Sequence, residues 1–440
     1  MDTQLTTNKK SKTADYEKPT IWYTFSRLAM LTNSVNLGQG FPDWSPPEFV
    51  IEAINNQVSN PTSNQQYSRF AGSVKLCESI ARNYSGIFQR NIDPLSEILV
   101  ANGAVSLLYN IITAFVEQGD EVIAIEPFYD CYLPQTELSG GKLIGIPMIP
   151  PKNREKSEYF NLISKGNSEK IKDQWHVDFE KLKNSFSNNT KLLILNTPNN
   201  PTGKILSFDE LKQIREILND YPKVIVVMDE VYEHMIYDEY QTLPRMATLD
   251  GMWDRTISIM SAGKIFSCTG IRVGWCIGPK ELVRKAAAVY QFNSFCLYEP
   301  VQNAIADSLD IATKPYNGYD NYYKWLRAKY EDNRHYIVEN FAKSKNFDLN
   351  IWLPEGGYFV VGDISNKTVD ARYKIEGDEN VDVSYTKDFN FVLNTANEKN
   401  VVIIPCSPFY TKQNSSHGVN YVRIAYCKKK ETIDKALAKF

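Results

Sequence analysis

Apolar residues along this chain fall into two patterns. Short, nearly continuous runs stand at 98–101 (ILVA), 121–125 (EVIAI), 191–195 (KLLIL), 223–228 (KVIVVM), 256–260 (TISIM) and 272–277 (RVGWCI). Runs of this length, rich in Ile and Val, predict strands buried on both faces. Helical stretches follow several of them, as at 104–116 and 207–219. Strands alternating with helices predict an α/β fold with a largely parallel sheet covered on both sides. In such sheets ligands gather beyond the carboxyl ends of the strands. The segments to inspect therefore begin after Ala101, Ile125, Leu195, Met228 and Met260.

Outside this middle third the pattern changes. Residues 1–20 are polar and read as a loose tail, and the apolar spacing of Ile21, Trp22, Phe25, Leu28 and Ala29 then predicts a helix that continues to Met30. The segment VNLGQGFPDWSPPEF (35–49) is dense in Gly and Pro and predicts irregular backbone. Helices are predicted at 47–59 and 72–88, and a surface excursion at the Lys/Ser/Asn-rich 151–173. Tyr322, Leu326, Tyr330, Ile337 and Phe341 form the stripe of a helix over 319–343. Strand patterns at 356–364, 401–405 and 420–427, mixed with helices, suggest a separate, smaller α+β unit. The expected division is a tail (1–20), an arm that joins the small domain (21–45), a large domain (46–310) and a C-terminal small domain (311–440).

Composition narrows the function classes. Of 440 residues, 43% are hydrophobic and 23% charged, the balance of an ordinary globular protein. Lys and Arg number 49 against 52 Asp and Glu, so no basic excess exists to grip nucleic acid or an anionic membrane. That also disfavours a transcription factor built on an enzyme-like module. Seven scattered cysteines with no CxxC pair suggest reduced thiols, and the four histidines lack ligand spacing, so no metal is expected. No apolar run approaches the roughly 18 residues of a membrane span. The polar N-terminus has no leader-like core, which points to the cytoplasm.

Three predicted strand ends carry unusual chemistry. Leu195 is followed by NTPNNPTGK, Met228 by DEVYEHMIYD and Met260 by SAGKIFSCTGIRVGW. An Asp closing a strand is commonly a helix cap, and a Lys in a turn is commonly solvated. Converging on one crevice, they supply a lysine amine (Lys264), a carboxylate (Asp229), a phenol (Tyr232), an amide (Asn200) and a Ser261/Arg272 pair able to hold a phosphate. That set suits pyridoxal 5'-phosphate, for which a lysine is the covalent anchor and a carboxylate the partner of the ring nitrogen.

These segments resemble the class I/II aminotransferases of fold-type I, more narrowly the group of kynurenine aminotransferase, glutamine transaminase K and cysteine-S-conjugate β-lyase. The resemblance rests on NLGQGFPD (36–43), EPFYDCY (126–132), NTPNNPTGK (196–204), DEVYEHMIYD (229–238), GMWDRT (251–256), SAGKIFSCTGIRVGW (261–275) and NYVRIAYCK (420–428). It implies a large domain with a mainly parallel seven-stranded sheet between helices, plus the smaller α+β domain. It implies that Lys264 carries the cofactor, that Asp229 pairs with the ring nitrogen, and that Tyr232 and Asn200 meet the ring 3'-oxygen. Ser261, Arg272 and the backbone at Gly103, Ala104 and Val105 would hold the phosphate, and Tyr129 would stack on the ring. Tyr67 would reach the site of a second subunit, implying a homodimer with shared sites. Arg423 would clamp the substrate carboxylate with Gly40 and Asn200 nearby, and Trp22 and Phe295 would wall the side-chain pocket. Val105 and NSFCLYEPVQ (293–302) depart from relatives that carry a pocket tyrosine and a Phe-His pair there, which bears on substrate choice. The implied activity is transamination from a large neutral or aromatic amino acid (kynurenine-like, glutamine, phenylalanine, methionine) to a 2-oxo acid. Elimination from cysteine S-conjugates is the alternative on the same scaffold.

Overall fold

The computed structural model describes residues 12–60, 65–152, 174–237, 240–343, 349–375 and 385–439. Past a short strand β1 (Val35–Asn36), seven strands form one sheet: β2 (Ile98–Ala101), β3 (Glu121–Glu126), β4 (Lys142–Pro147), β5 (Thr190–Asn196), β6 (Ile225–Asp229), β7 (Thr256–Ser261) and β8 (Gly274–Ile277). Their order is β2-β8-β7-β6-β5-β3-β4, and β8 alone runs antiparallel to its neighbours. Every apolar run read from the sequence is one of these strands. The fold is thus α/β, with the mainly parallel sheet of fold-type I.

The reversal of β8 follows from chain length. Only residues 262–273 separate β7 from β8, and they hold a single short helix, Ala262–Ile265, and one 3-10 turn. A parallel return needs a crossover that runs back along the whole strand, usually an α-helix, and this 4-residue helix, about 6 Å long, does not span it. The chain instead turns back at the carboxyl edge, pairing Ser261 with Gly274. Lys264 and Arg272, at the two ends of this connection, therefore arrive at the same edge.

Strand β4 has no continuous apolar run because Gly145 interrupts it. A Cβ at Gly145 would lie 2.1 Å from the carboxylate of Glu126 on β3, so the space belongs to that buried side chain. Glu126 accepts hydrogen bonds from the Thr411 backbone and the Asn414 amide, tying the sheet to the C-terminal part of the chain.

A second, antiparallel sheet has the order β12-β13-β10-β9, from β9 (Asn350–Ile351), β10 (Phe359–Asp363), β12 (Ile404–Pro405) and β13 (Tyr421–Ala425). The 401–405 run divides: β11 (Val401–Val402) pairs parallel with β1, and β12 pairs with β13. The N-terminal arm thereby joins the C-terminal strands. The helix Tyr322–Lys343 buries Tyr322, Leu326, Tyr330, Ile337 and Phe341. No helix among the described residues is long and apolar enough to cross a membrane. Residues 153–173 of the expected excursion and 1–11 of the expected tail lie outside the described residues.

Candidate active site

Parallel pairing brings three polar residues to the ends of adjacent strands, with Ser261 two residues beyond Ile259, the register partner of Asp229. Asn196 closes β5 opposite Asp229, which closes β6, and Ser261 closes β7. The Asn196 amide donates to the Asp229 carbonyl (2.9 Å), and its own side-chain oxygen accepts from the Asn200 backbone (2.7 Å). This folds the turn back over the strand ends and fixes Asn200 there. From the second sheet, Arg423 donates to the Asn200 side-chain oxygen (3.0 Å) and to the Gly38 carbonyl. Both sheets and the 36–40 segment meet at one cavity of about 240 Å³.

The cavity is lined by Lys264, Asp229, Tyr232, Asn200, Ser261 and Arg272, by Ala104, Val105 and Tyr129, and by Trp22, Gly40 and Arg423. Gly103 lies immediately behind it: a Cβ there would be 2.8 Å from the Arg272 guanidinium. Phe295 is not brought in, and Tyr67, expected at the site of a second subunit, also lies outside this cavity. Phe295 stands 52% exposed and Tyr67 81% exposed. They pack edge to face against each other, centroids 5.1 Å apart, on the outside of the subunit. Within one chain, the expected wall of Trp22, Tyr129 and Phe295 therefore reduces to Trp22 and Tyr129, whose rings lie 6.3 Å apart. Phe295 follows the end of the helix Lys280–Asn293 at a left-handed φ of 64°, which directs it outward.

Burial sets the electrostatics. Asp229 is 4% exposed, and burial pushes its carboxyl up, opposed by the Tyr132 hydroxyl and by Lys264. Tyr132 donates to Asp229 Oδ2 at 2.6 Å. Burial pulls the Lys264 amine down to about 8; Arg423 and Arg272 reinforce this, while Cys427 and Asp229 oppose it. Arg423 is 1% exposed, sandwiched by Phe359 (4.1 Å) and Trp22 (4.8 Å). Among the described residues its buried Nε has no hydrogen-bond partner. An unpaired buried donor on a guanidinium is costly unless a ligand such as a carboxylate completes it. The Trp22 indole donates to Asp130 (2.8 Å), and burial pushes that carboxyl up to about 6.

The opposite end of the cavity fits a phosphate. Gly103, at φ 84°, offers no side-chain cap to the helix Ala104–Phe115, so the first-turn amides are left for a ligand. Arg272, held at φ 53°, and Ser261 stand across from it. A phosphate seat, a half-buried amine, a buried carboxylate and a carboxylate clamp in one cavity match the groups of pyridoxal phosphate with an amino acid.

Sequence reasoning missed Tyr132, Tyr358, Phe359 and Gln39. Tyr132 lies three residues beyond Tyr129 in the same motif, where its backbone N–H donates to the Tyr129 carbonyl (3.2 Å) at the entry to the helix Tyr132–Leu138. Tyr358 and Phe359 sit in GGYFVV, legible only as a strand.

Comparison with known proteins agrees with this geometry. The family described as aminotransferase class I and II matches residues 32–440. A kynurenine–oxoglutarate transaminase of Dictyostelium discoideum is 37% identical over 437 residues, covering 98% of this chain and 95% of that protein. Among solved structures, Bna3p of Saccharomyces cerevisiae is 30% identical, with a TM-score of 0.84 over 98% of this chain and 97% of that one. YbdL of Escherichia coli, described with a methionine aminotransferase function, is 28% identical, with a TM-score of 0.81 over 98% of both chains. A family match across nearly the whole length and a full-length relative above 30% identity lead to one assignment: this chain belongs to the class I and II aminotransferases and is an enzyme that transfers amino groups.

Proposed function

We propose that the chain holds pyridoxal 5'-phosphate through Lys264 and transfers the amino group of a large neutral or aromatic amino acid to a 2-oxo acid. The observation that carries this reading is the half-buried Lys264 amine sharing one cavity with the buried, incompletely paired Arg423. When bound, the cofactor supplies a carbonyl carbon that takes up the amino nitrogen and a ring that draws electrons from the substrate Cα. The chain supplies the rest. Asp229 keeps a proton on the ring nitrogen, and Tyr232 and Asn200 donate to the ring 3'-oxygen. Tyr129 stacks on the ring. Ser261, Arg272 and the amides of Ala104 and Val105 neutralise and orient the phosphate, while the Gly103 amide donates to the Ala101 carbonyl (2.6 Å) and its missing side chain leaves room. Arg423, beside Gly40, clamps the α-carboxylate. Lys264, as a neutral amine, takes the proton from Cα and later returns it. Its lowered pKa makes that neutral form accessible near physiological pH.

Trp22 and Tyr129 give the side-chain end an apolar wall, which suits kynurenine-like, phenylalanine, methionine and glutamine donors. The names of the Dictyostelium and Escherichia coli relatives, kynurenine and methionine enzymes respectively, are in keeping with that wall. A homodimer also belongs to this reading. Tyr67, Phe292, Phe295 and Tyr298 are exposed aromatic residues, the raw material of an interface between two copies. The large domain is taken as 46–310, with 21–45 and 311–440 forming the small one.

The test is a panel of amino donors against several 2-oxo acids, with borohydride reduction and peptide mapping. The cations lining the cavity, Lys264, Arg272 and Arg423, all have roles in this reading, which leaves a distal carboxylate without a partner. Large neutral donors should therefore exceed aspartate in kcat/KM by at least about tenfold, or roughly 1.4 kcal/mol. Aspartate as the best donor would overturn the pocket assignment. Absence of reduced cofactor on the Lys264 peptide would overturn the cofactor assignment. If pyruvate release from a cysteine S-conjugate outpaces every transamination, β-elimination replaces transamination as the main activity.

A further inference from the structure

Among the described residues the Lys264 amine has two acceptors, neither of them charged. Nζ donates to the Tyr358 hydroxyl oxygen at 2.7 Å and to the Gly40 carbonyl at 3.4 Å. The Tyr358 hydroxyl donates its own proton to that same Gly40 carbonyl, at 2.7 Å. With its proton so engaged, the phenol faces the amine only as an acceptor. The ring cannot swing away, because it is 1% exposed and packed against Tyr232 (centroids 5.0 Å), Phe359 (4.7 Å) and Tyr330 (5.7 Å). Gly40 can approach this closely only without a side chain: a Cβ there would lie 2.5 Å from the Phe359 ring and 3.3 Å from Tyr358.

We infer that Tyr358 is a positioning residue for Lys264: its hydroxyl oxygen holds the amine by one N–H whenever Nζ is not bonded to cofactor, and leaves the nitrogen lone pair free for the substrate Cα proton. The inference rests on the proposed role of Lys264. The proton balance is simple. The Cα–H bond breaks, Nζ takes the proton and becomes an ammonium, and the same proton leaves Nζ later in turnover, while Tyr358 keeps its own. A carboxylate in this position would favour the ammonium and leave no lone pair to react. The charged and titratable groups around Nζ are Cys427, Arg423, Arg272 and Asp229, together with the phenols of Tyr232 and Tyr358. Burial dominates among them and favours the neutral amine.

Tyr358→Phe removes the acceptor and keeps the ring. Tyr330→Phe is the control, since that buried hydroxyl contacts Ser267 instead (3.3 Å). The first readout is acylation of Lys264 against pH in cofactor-free protein, followed on its peptide by mass spectrometry. The second is kcat, KM and the isotope effect of an α-deuterated donor in the loaded enzyme. In Tyr358→Phe the acylation midpoint should fall by about half a unit or more, because an ammonium gains more from an acceptor than a neutral amine does. kcat should fall about tenfold or more with KM little changed, and the isotope effect should rise. An unchanged midpoint and isotope effect in folded Tyr358→Phe would overturn the inference, and so would equal changes in Tyr330→Phe. A wild-type midpoint near the ordinary lysine value of about 10.4 would overturn it without any variant. Failure of borohydride to fix cofactor on wild-type Lys264 would instead strike the proposed function, with the acylation readout still intact.

Discussion

Asp229 lies enclosed at the end of β6, and the Tyr132 hydroxyl helps decide what charge it carries. Burial pushes the carboxyl pKa up, whereas a hydroxyl at 2.6 Å and the nearby Lys264 favour the carboxylate that a pyridinium nitrogen needs. Asp229→Asn keeps the shape but cannot retain that proton, so kcat should drop by about 100-fold or more, the scale of losing a charged partner in a water-excluded site. Tyr132→Phe should lose less, about tenfold, because one hydrogen bond to a charged group is worth about 1.5 kcal/mol or more. Steady-state kinetics on both variants, with circular dichroism for the fold, is the check. Near-normal kcat in Asp229→Asn would remove Asp229 from the ring nitrogen, and a Tyr132→Phe loss as deep as that of Asp229→Asn would make Tyr132 more than a supporting donor. Among single residues, those with chemistry written into a motif were legible: Lys264, Asp229, Asn200 and Arg423 all reach the cavity. Tyr132 and Tyr358 were not, because a tyrosine in an apolar segment reads as core until its hydroxyl partner is known.

At the level of elements, a strand's end is readable where its apolar run stops, but its direction and neighbours are not. The six runs became strands with shifts of one or two residues, whereas β4 escaped notice because Glu126 of the adjacent strand fills the space at Gly145. That requirement is long-range, and no local pattern announces it. The same holds for Gly103. Its φ of 84° and ψ of 170° belong to a region open essentially to glycine alone, and a Cβ there would press on the Arg272 guanidinium at 2.8 Å. Gly103→Ala should therefore both strain the entry to the helix Ala104–Phe115 and displace Arg272 from the phosphate seat. The expected outcome is a lower Tm, by the roughly 1–3 kcal/mol of such strain, and at least about tenfold weaker binding of pyridoxal phosphate. Equilibrium dialysis against the cofactor checks it. Wild-type affinity in the variant would show that Gly103 and Arg272 serve the fold and not the phosphate.

At the level of the whole molecule, Tyr67 and Phe295 stand apart from the cavity of their own chain. They pack on each other in the open, 5.1 Å apart, whereas Phe295 was expected in this cavity and Tyr67 at the site of a second subunit. Sequence motifs assign residues to a site but do not state which copy of the chain supplies them, and Phe295 does not line the cavity of its own chain. In the proposed homodimer a second copy would receive both residues, since they stand on one patch 5.1 Å apart. Two defective chains then test the geometry. A Tyr67→Ala chain keeps Lys264, and a Lys264→Ala chain keeps Tyr67. Each homodimer lacks one of the two at both sites. In a hybrid dimer, the site with Lys264 receives Tyr67 and Phe295 from the other chain, whereas the second site has neither Lys264 nor a donated Tyr67. Mixing the chains under conditions of subunit exchange should restore one wild-type-like site per hybrid, so specific activity rises toward half the wild-type value in purified hybrids. Adding Phe295→Ala to the Lys264→Ala chain should then raise KM for large neutral donors at the restored site, and adding it to the Tyr67→Ala chain should not. Loss of apolar contact is worth about 25 cal/mol per Å², enough for a several-fold change when a ring face is removed. If the effect instead follows Phe295 of the chain that carries Lys264, the pocket is completed within one subunit and the shared-site arrangement falls.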